Sequence, residues 1–222
     1  MSWAAYAGIF VLFLLSHSVP LRPAIKGRLV ALFGARAFGM MYGLVSLGGL
    51  ALLIWAAGQA PFVLLWPQMP WQRPVVYLGM LVACLILAMT LGRPNPFSFG
   101  GRNNDHFLPQ RAGIVRWVRH PVLAALALWA GVHLLPNGDL AHVILFGVLG
   151  GFAVIGRALI NRRKQREMGQ AAWQALADDV AAAPVFYQPA SWRALGARLL
   201  AGFAVFIGLA FAHPLIIGVA VH

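Results

Sequence analysis

Residues 37–57, AFGMMYGLVSLGGLALLIWAA, decide the fold of this chain. These 21 consecutive residues include no charged side chain, and roughly 20 helical residues cross the hydrocarbon core of a bilayer. In lipid, a single segment satisfies all its backbone N–H and C=O groups only as a helix. The stretch therefore predicts a transmembrane helix.

Working outward, five more segments predict further spans. Residues 3–19, 75–91 and 199–221 contain no Asp, Glu, Lys or Arg, and residues 140–160 contain only Arg157. Residues 122–135 are too short alone, so we extend this span back to residue 114, where Trp117 would anchor at the interface. The chain is predicted to be all-α: one domain, residues 1–222, forming a polytopic membrane bundle of about six transmembrane helices.

The connections between the spans also carry signals. Residues 136–139, Pro-Asn-Gly-Asp, form a tight-turn sequence that predicts a helical hairpin of spans four and five. The Gly-, Pro- and Asn-rich residues 92–120 predict an irregular loop. Residues 162–180 predict an interfacial amphipathic helix, because apolar side chains recur there at every fourth position: Met168, Ala172, Leu176 and Val180.

Composition agrees with a membrane protein, since 61% of residues are hydrophobic, 10% are charged and the mean hydropathy is +0.77. The net charge of +12 could indicate nucleic-acid binding, but all cations except Arg73 fall in loops or at span ends on one predicted side. The positive-inside rule makes that side cytoplasmic and places both termini in the periplasm of an inner-membrane protein. Topology thus explains the charge without nucleic acid. The lone Cys84 excludes a disulfide framework.

Histidines are the notable polar residues of the spans, which lack Asp and Glu. Each imidazole could simply cap a helix or bind a carbonyl group, or two could ligate one haem iron from opposite faces within the bundle. Arg36, Arg116 or Arg119 could then pair with the propionates. Five histidines lie in or at the ends of apolar segments: His17, His120, His133, His142 and His213.

Helix rise does not favour every pairing equally. His17 lies about 21 Å inward from the start of span one and His133 about 20 Å outward from His120, which places His17 nearer the level of His120. A pair of His17 and His133 then needs helix tilt, a kink at Pro20, or a span four that begins deeper.

The Arg119-His120-Pro121 sequence marks the start of span four, because proline suits the first turn of a helix. Basic side chains at this point face lipid headgroups or an anionic ligand. An ordinary positive-inside helix start explains the sequence equally well.

Four stretches together resemble the NnrU family of bacterial membrane proteins. These stretches are residues 16–18 (Ser-His-Ser), 34–38 (Gly-Ala-Arg-Ala-Phe), 116–133 (with Arg119-His120-Pro121, Trp129 and His133), and Gly169 with Trp173 through residues 184–186. The pattern is similar to plant zeta-carotene isomerase, which binds haem b. More remotely it resembles isoprenylcysteine methyltransferases, which bind S-adenosylmethionine, although the glutamate pair of that group is reduced here to Glu167.

The resemblance implies haem b as the cofactor and His17 and His133 as its metal ligands. Arg36, Arg119 and His120 are predicted as further cofactor-binding residues. A cysteine that the isomerase carries three residues before its second ligand is Ala130 here. A ligand switch that uses this cysteine therefore has no counterpart.

The first functional hypothesis is a haem-b-binding protein of the NnrU type, which the resemblance associates with nitrite and nitric oxide reduction in denitrification. The second is a haem-dependent cis–trans isomerase of a hydrophobic, carotenoid-like polyene. The third is a non-catalytic accessory subunit that docks a respiratory partner through its Trp-rich outer loop, residues 59–74, and the hairpin of spans four and five. Methyl transfer from S-adenosylmethionine is the fourth.

Overall fold

The computed structural model describes residues 1–185 and 189–218. Within these ranges the chain is helical, and the isolated bridge between Leu64 and Asp139 is the only β-pairing. The helices are α1 (Trp3–Ser18), α2 (Pro23–Phe33), α3 (Ala35–Gln59), α4 (Gln72–Thr90), α5 (Ile114–Trp117), α6 (Pro121–Leu134), α7 (Leu140–Met168), α8 (Gln170–Ala182) and α9 (Trp192–Ile217).

Five of these helices, α1, α3, α4, α7 and α9, are long and apolar enough to cross a membrane, and α6 is a shorter apolar helix. The prediction of an all-α, multi-pass membrane protein is confirmed. The proposed extension of span four back to residue 114 is wrong, because α5 ends at Trp117 and α6 begins only at Pro121. The intervening Val118 and His120 have non-helical backbone angles. His120 directly precedes Pro121, and a residue before proline is disfavoured in the helical region.

The predicted interfacial helix begins later than expected. Helix α7 continues through residue 162 to Met168, and its last turns carry ion pairs from Arg163 and Lys164 to Glu167. The break comes at Gly169, whose φ of 84° is accessible to glycine without strain.

The apolar face of α8 also differs from the predicted one. Of the predicted positions, Val180 is buried and Met168 and Leu176 pack beside it, but Ala172 is exposed. Trp173 and Ala177, which were not predicted, are buried instead. Trp173, Ala177 and Val180 form a cluster with Phe97 and other loop residues, so this face packs on protein. The loop of residues 92–120 is irregular as predicted, containing two 3-10 turns and the single-turn α5.

Two other boundaries were unexpected. Helix α2 was not predicted, because its 11 residues include Lys26, Gly27 and Arg28 and are too few to span a bilayer. Helix α9 starts at Trp192, seven residues before the predicted span, where Ser191 Oγ accepts a hydrogen bond from the Ala194 backbone N–H at 3.2 Å. Residues 219–221 of that predicted span lie outside the described residues.

The chain divides into two compact units, and its assignment to one domain stays a prediction. Unit 1 comprises Met1–Pro67 and Gly138–Leu145. In it, α1 packs against α3, and the Tyr6 hydroxyl donates to the Ala141 carbonyl at 2.7 Å. The Gly138 carbonyl accepts hydrogen bonds from the backbone N–H groups of Leu65 and Trp66, which connects the loop after α3 to the turn before α7.

Unit 2 comprises Gln68–Asn137 and Phe146–His222. Helix α4 packs against both α6 and α9, and Arg198 Nη1 donates to the Ala88 and Leu91 carbonyls at the end of α4. Helices α6 and α7 pack side by side, as the predicted hairpin requires. Three contacting pairs mark this interface: His133 with Phe146, Ala130 with Gly150, and Leu123 with Gly156.

Candidate functional site

His133 is held in the last turn of α6 by its own helix. Its Nδ1 lies 2.8 Å from the Trp129 carbonyl oxygen, one turn earlier. A carbonyl only accepts, so Nδ1 carries the proton and Nε2 presents a lone pair. The rings of Trp129 and Phe146 lie 5.5 and 5.3 Å from the imidazole between centroids. The ring is thus fixed in one tautomer within an aromatic wall.

His213 of α9 belongs to the same unit and is close enough to His133 to interact with it electrostatically. This proximity makes it an alternative partner of His133 for a shared ligand.

His142 has a different environment. Its Nδ1 lies 2.7 Å from Asp139 Oδ2, and its backbone N–H donates to Asp139 Oδ1 at the start of α7. A helix-capping role accounts for this pair.

His17 lies near the end of α1 and contacts two polar residues of α3. Its Nδ1 is 3.1 Å from Ser46 Oγ, and the Tyr42 hydroxyl lies 3.2 Å from Nδ1 and 3.3 Å from Nε2. The same hydroxyl is also 3.1 Å from the His17 carbonyl oxygen, to which it donates. Phe13 stacks on the imidazole at 5.6 Å. Sequence reasoning missed Tyr42 and Ser46, although two polar residues four apart mark one helical face.

Two apolar grooves adjoin this region of unit 1. One, of about 240 Å³, is lined by α1 and α3 around Phe13, Ser16 and Gly49. The other, of about 190 Å³, extends from Ser16 past Tyr42 to Phe33 of α2. Both grooves are lined almost entirely by hydrocarbon, with a few hydroxyl groups among the lining residues.

His120 is buried, with 3% of its surface exposed, and both ring nitrogens have protein partners. Nδ1 lies 3.0 Å from Ser98 Oγ and Nε2 2.9 Å from Asn161 Oδ1. Burial lowers the pKa of His120, and the positive charges of Arg119 and Arg157 lower it further, against the hydrogen bond to Asn161. His120 is therefore a neutral ring that joins the loop before α6 to α7.

The Arg119 guanidinium packs against two aromatic rings. Its guanidinium carbon lies 4.7 Å from the Trp173 ring centroid and 5.3 Å from that of Phe97. The Arg119 carbonyl accepts a hydrogen bond from Asn95 Nδ2 at 3.1 Å. Burial lowers the pKa of Arg119. By contrast Arg36, in the first turn of α3, is exposed.

The structure brings Arg119 and His120 together with residues that sequence reasoning did not place there. These are Asn95, Ser98, Asn161 and Trp173. No sequence pattern relates residues so far apart in the chain. His17 and Arg36 belong to unit 1 and His133 to unit 2, and the assignment of His17 and His133 to one metal stays a prediction.

A comparison with protein families matches the NnrU protein family over residues 6–221. The chain belongs to the NnrU family. The match covers nearly the whole chain, and so includes both units and each of the candidate residues. Searches of curated proteins and of solved structures found no match.

Proposed function

We propose that this NnrU-family protein binds haem b within the membrane, with His17 and His133 as the axial ligands. The observation that carries the proposal is the geometry of His133. Metal-bound histidines usually donate their second ring N–H to a carbonyl or carboxylate group, and His133 donates Nδ1–H to the Trp129 carbonyl. Its Nε2 has no hydrogen-bond partner among the described residues.

The surroundings of His17 also fit an axial ligand. With Nδ1–H donated to Ser46 Oγ, the Nε2 lone pair lies 3.3 Å from the Tyr42 hydroxyl. That hydroxyl has a second acceptor in the His17 carbonyl. It can therefore release Nε2 to a metal without becoming unsatisfied, which a buried polar group must avoid.

The haem would supply redox chemistry and the binding of small ligands such as nitric oxide, in line with a role in denitrification. The chain would supply fixed imidazoles, aromatic walls and the exclusion of water. Arg36 is the arginine that we assign to a propionate, since it is six residues, about 9 Å of helix rise, from Tyr42. Arg119 and His120 were expected to contact the cofactor too, but about 20 Å of helix rise separates His120 from His133. We assign Arg119 another ligand below.

A second candidate is a haem-dependent isomerase of a hydrophobic polyene. The two grooves beside Phe13, Ser16 and Tyr42 favour it, because an apolar chain would enter them from the bilayer. We further propose an inner-membrane location with the basic loops in the cytoplasm and both termini in the periplasm, following the positive-inside rule. Reactivity of cysteines introduced at Ser2 and Arg163 towards an impermeant thiol reagent tests this orientation.

The experiment is absorption spectroscopy of protein purified from haem-replete cells. We expect a Soret band that shifts on reduction, that is lost or altered in His17→Ala and in His133→Ala, and that is unchanged in the control His142→Ala. Colourless wild-type protein would contradict haem binding. Incubation of the reduced protein with a cis polyene, followed by product analysis, then separates the two candidates: unchanged substrate excludes the isomerase.

A further inference from the structure

Trp173 is an unusual residue in this fold because its indole N–H is buried and has no partner in the described part of the chain. Only 6% of the residue is exposed. Among the described residues, Nε1 of Trp173 is the one buried side-chain N or O atom without a hydrogen bond. Leaving a buried donor unpaired destabilises the folded state, so this N–H is suited to an acceptor brought by a ligand.

Arg119 supplies the second observation. Its guanidinium lies on the Trp173 and Phe97 rings, and it makes no ion pair with a carboxylate in the part of the chain that the structure describes. Arg116, three residues earlier in the chain, donates instead through Nε to the Ala183 carbonyl at 3.1 Å. Partial burial of a cation without a paired anion destabilises the folded state, and a bound anion would offset this cost.

We propose that Arg119 and the indole N–H of Trp173 together bind a phosphate group. A guanidinium presents paired N–H donors that match two phosphate oxygens, and the indole adds a third donor. The phosphate comes from a phospholipid headgroup or from a soluble phosphate compound. This site is independent of haem binding.

The surroundings support an anionic ligand. Arg119 comes two residues before Pro121, the first residue of the apolar helix α6, which is where lipid headgroups meet a membrane protein. The carboxylates of α8 do not oppose the ligand, because Asp178 and Asp179 are exposed and lie about 120–140° around the helix from Trp173. The His120 ring is hydrogen-bonded to Ser98 and Asn161. These contacts fix the backbone next to Arg119.

The variants remove one donor at a time and keep the packing. Trp173→Phe retains an aromatic ring and removes only the N–H group, and Arg119→Gln removes the charge. Trp117→Phe is the matched control for the indole, because Trp117 is exposed, and Arg163→Gln is the control for the cation, because Arg163 pairs with Glu167. The Soret band of each sample reports separately on haem, so either proposal can fail alone.

The measurements use full-length protein at constant ionic strength. In detergent, inorganic phosphate should raise the Tm of the wild type and both controls in a saturable way, with about tenfold weaker binding in Trp173→Phe and none in Arg119→Gln. In nanodiscs, replacing part of the phosphatidylcholine with phosphatidylglycerol should give the same ranking if the source is lipid. A rise in Tm with inorganic phosphate in detergent indicates a soluble ligand. A rise in Tm only with phosphatidylglycerol in nanodiscs indicates a lipid headgroup. No response in either arm, or equal responses in all variants, would overturn the proposal.

Discussion

His133 donates its Nδ1 proton to the carbonyl oxygen of Trp129 at 2.8 Å, one turn back along α6. This hydrogen bond leaves the lone pair of Nε2 available to a metal. If Nε2 is a haem ligand, an added imidazole should occupy its place once the side chain is removed. We expect His133→Gly to lose the wild-type Soret band and millimolar imidazole to restore it. His142→Gly is the control, and its spectrum should not respond to imidazole.

Ser46 is predicted to tune the haem through His17. Its Oγ lies 3.1 Å from His17 Nδ1, and loss of such a contact to a metal-bound histidine commonly weakens metal binding by about 10- to 100-fold. Ser46→Ala should therefore bind haem at least about tenfold more weakly and raise the midpoint potential, because a less basic imidazole stabilises ferric iron less. Ser18→Ala, which alters an exposed serine next to His17, should leave both quantities unchanged in haem titration and redox titration.

Gly79 allows α4 to approach α6. A Cβ atom at this position would overlap the side chain of Val132, so Gly79→Ala should destabilise the protein by about 1–3 kcal/mol. Adding Val132→Ala should recover part of that loss, giving a favourable coupling in a double-mutant cycle. Unfolding in SDS provides the free energies. Gly147→Ala, where a Cβ meets nothing within 4 Å, should cost no stability, and an equal loss there would argue against the packing explanation.

His120 predicts a specific pH dependence of stability. Burial lowers the pKa of folded His120, whereas in the unfolded chain it is about 6.5. As the pH falls through about 6.5 towards the lower folded value, the unfolded state takes up a proton that the folded state resists, and stability is lost. His120→Gln, which sacrifices contacts to Ser98 and Asn161, should lower the Tm at pH 7.5. The difference in Tm between His120→Gln and wild type should be smaller at pH 5.5. An equal difference at both pH values would show that the titration of His120 does not cause the pH dependence of stability.

Hydrophobicity was sufficient to predict most of the membrane spans, because a long uncharged helix has few alternatives in lipid. It was insufficient where local backbone preferences determine the ends of the helices. The residue before Pro121 leaves the helical region, so α5 and α6 are separate, and Gly169 rather than the charge run ends α7. The charges of that run pair with Glu167 along the helix and extend α7 beyond the apolar segment.

The candidate site was predictable only in part. Apolar surroundings single out His17 and His133 in the sequence, whereas their partners depend on how the chain packs. Trp173 shows this most clearly, since a period of four gave Ala172 as the buried position and the structure buries Trp173. Its contact with Arg119 joins residues 54 positions apart, as their numbers show. Such a pairing has no signature in a single sequence.

Electron paramagnetic resonance of the oxidised, haem-loaded protein tests the central claim most directly. Two axial imidazoles predict a low-spin ferric signal in the wild type. That signal should convert to high spin, or disappear with the haem, in both His17→Ala and His133→Ala, and it should persist in His213→Ala. A high-spin wild type, or a low-spin signal that depends on His213 instead of His17, would contradict the assignment of His17 and His133 to one iron.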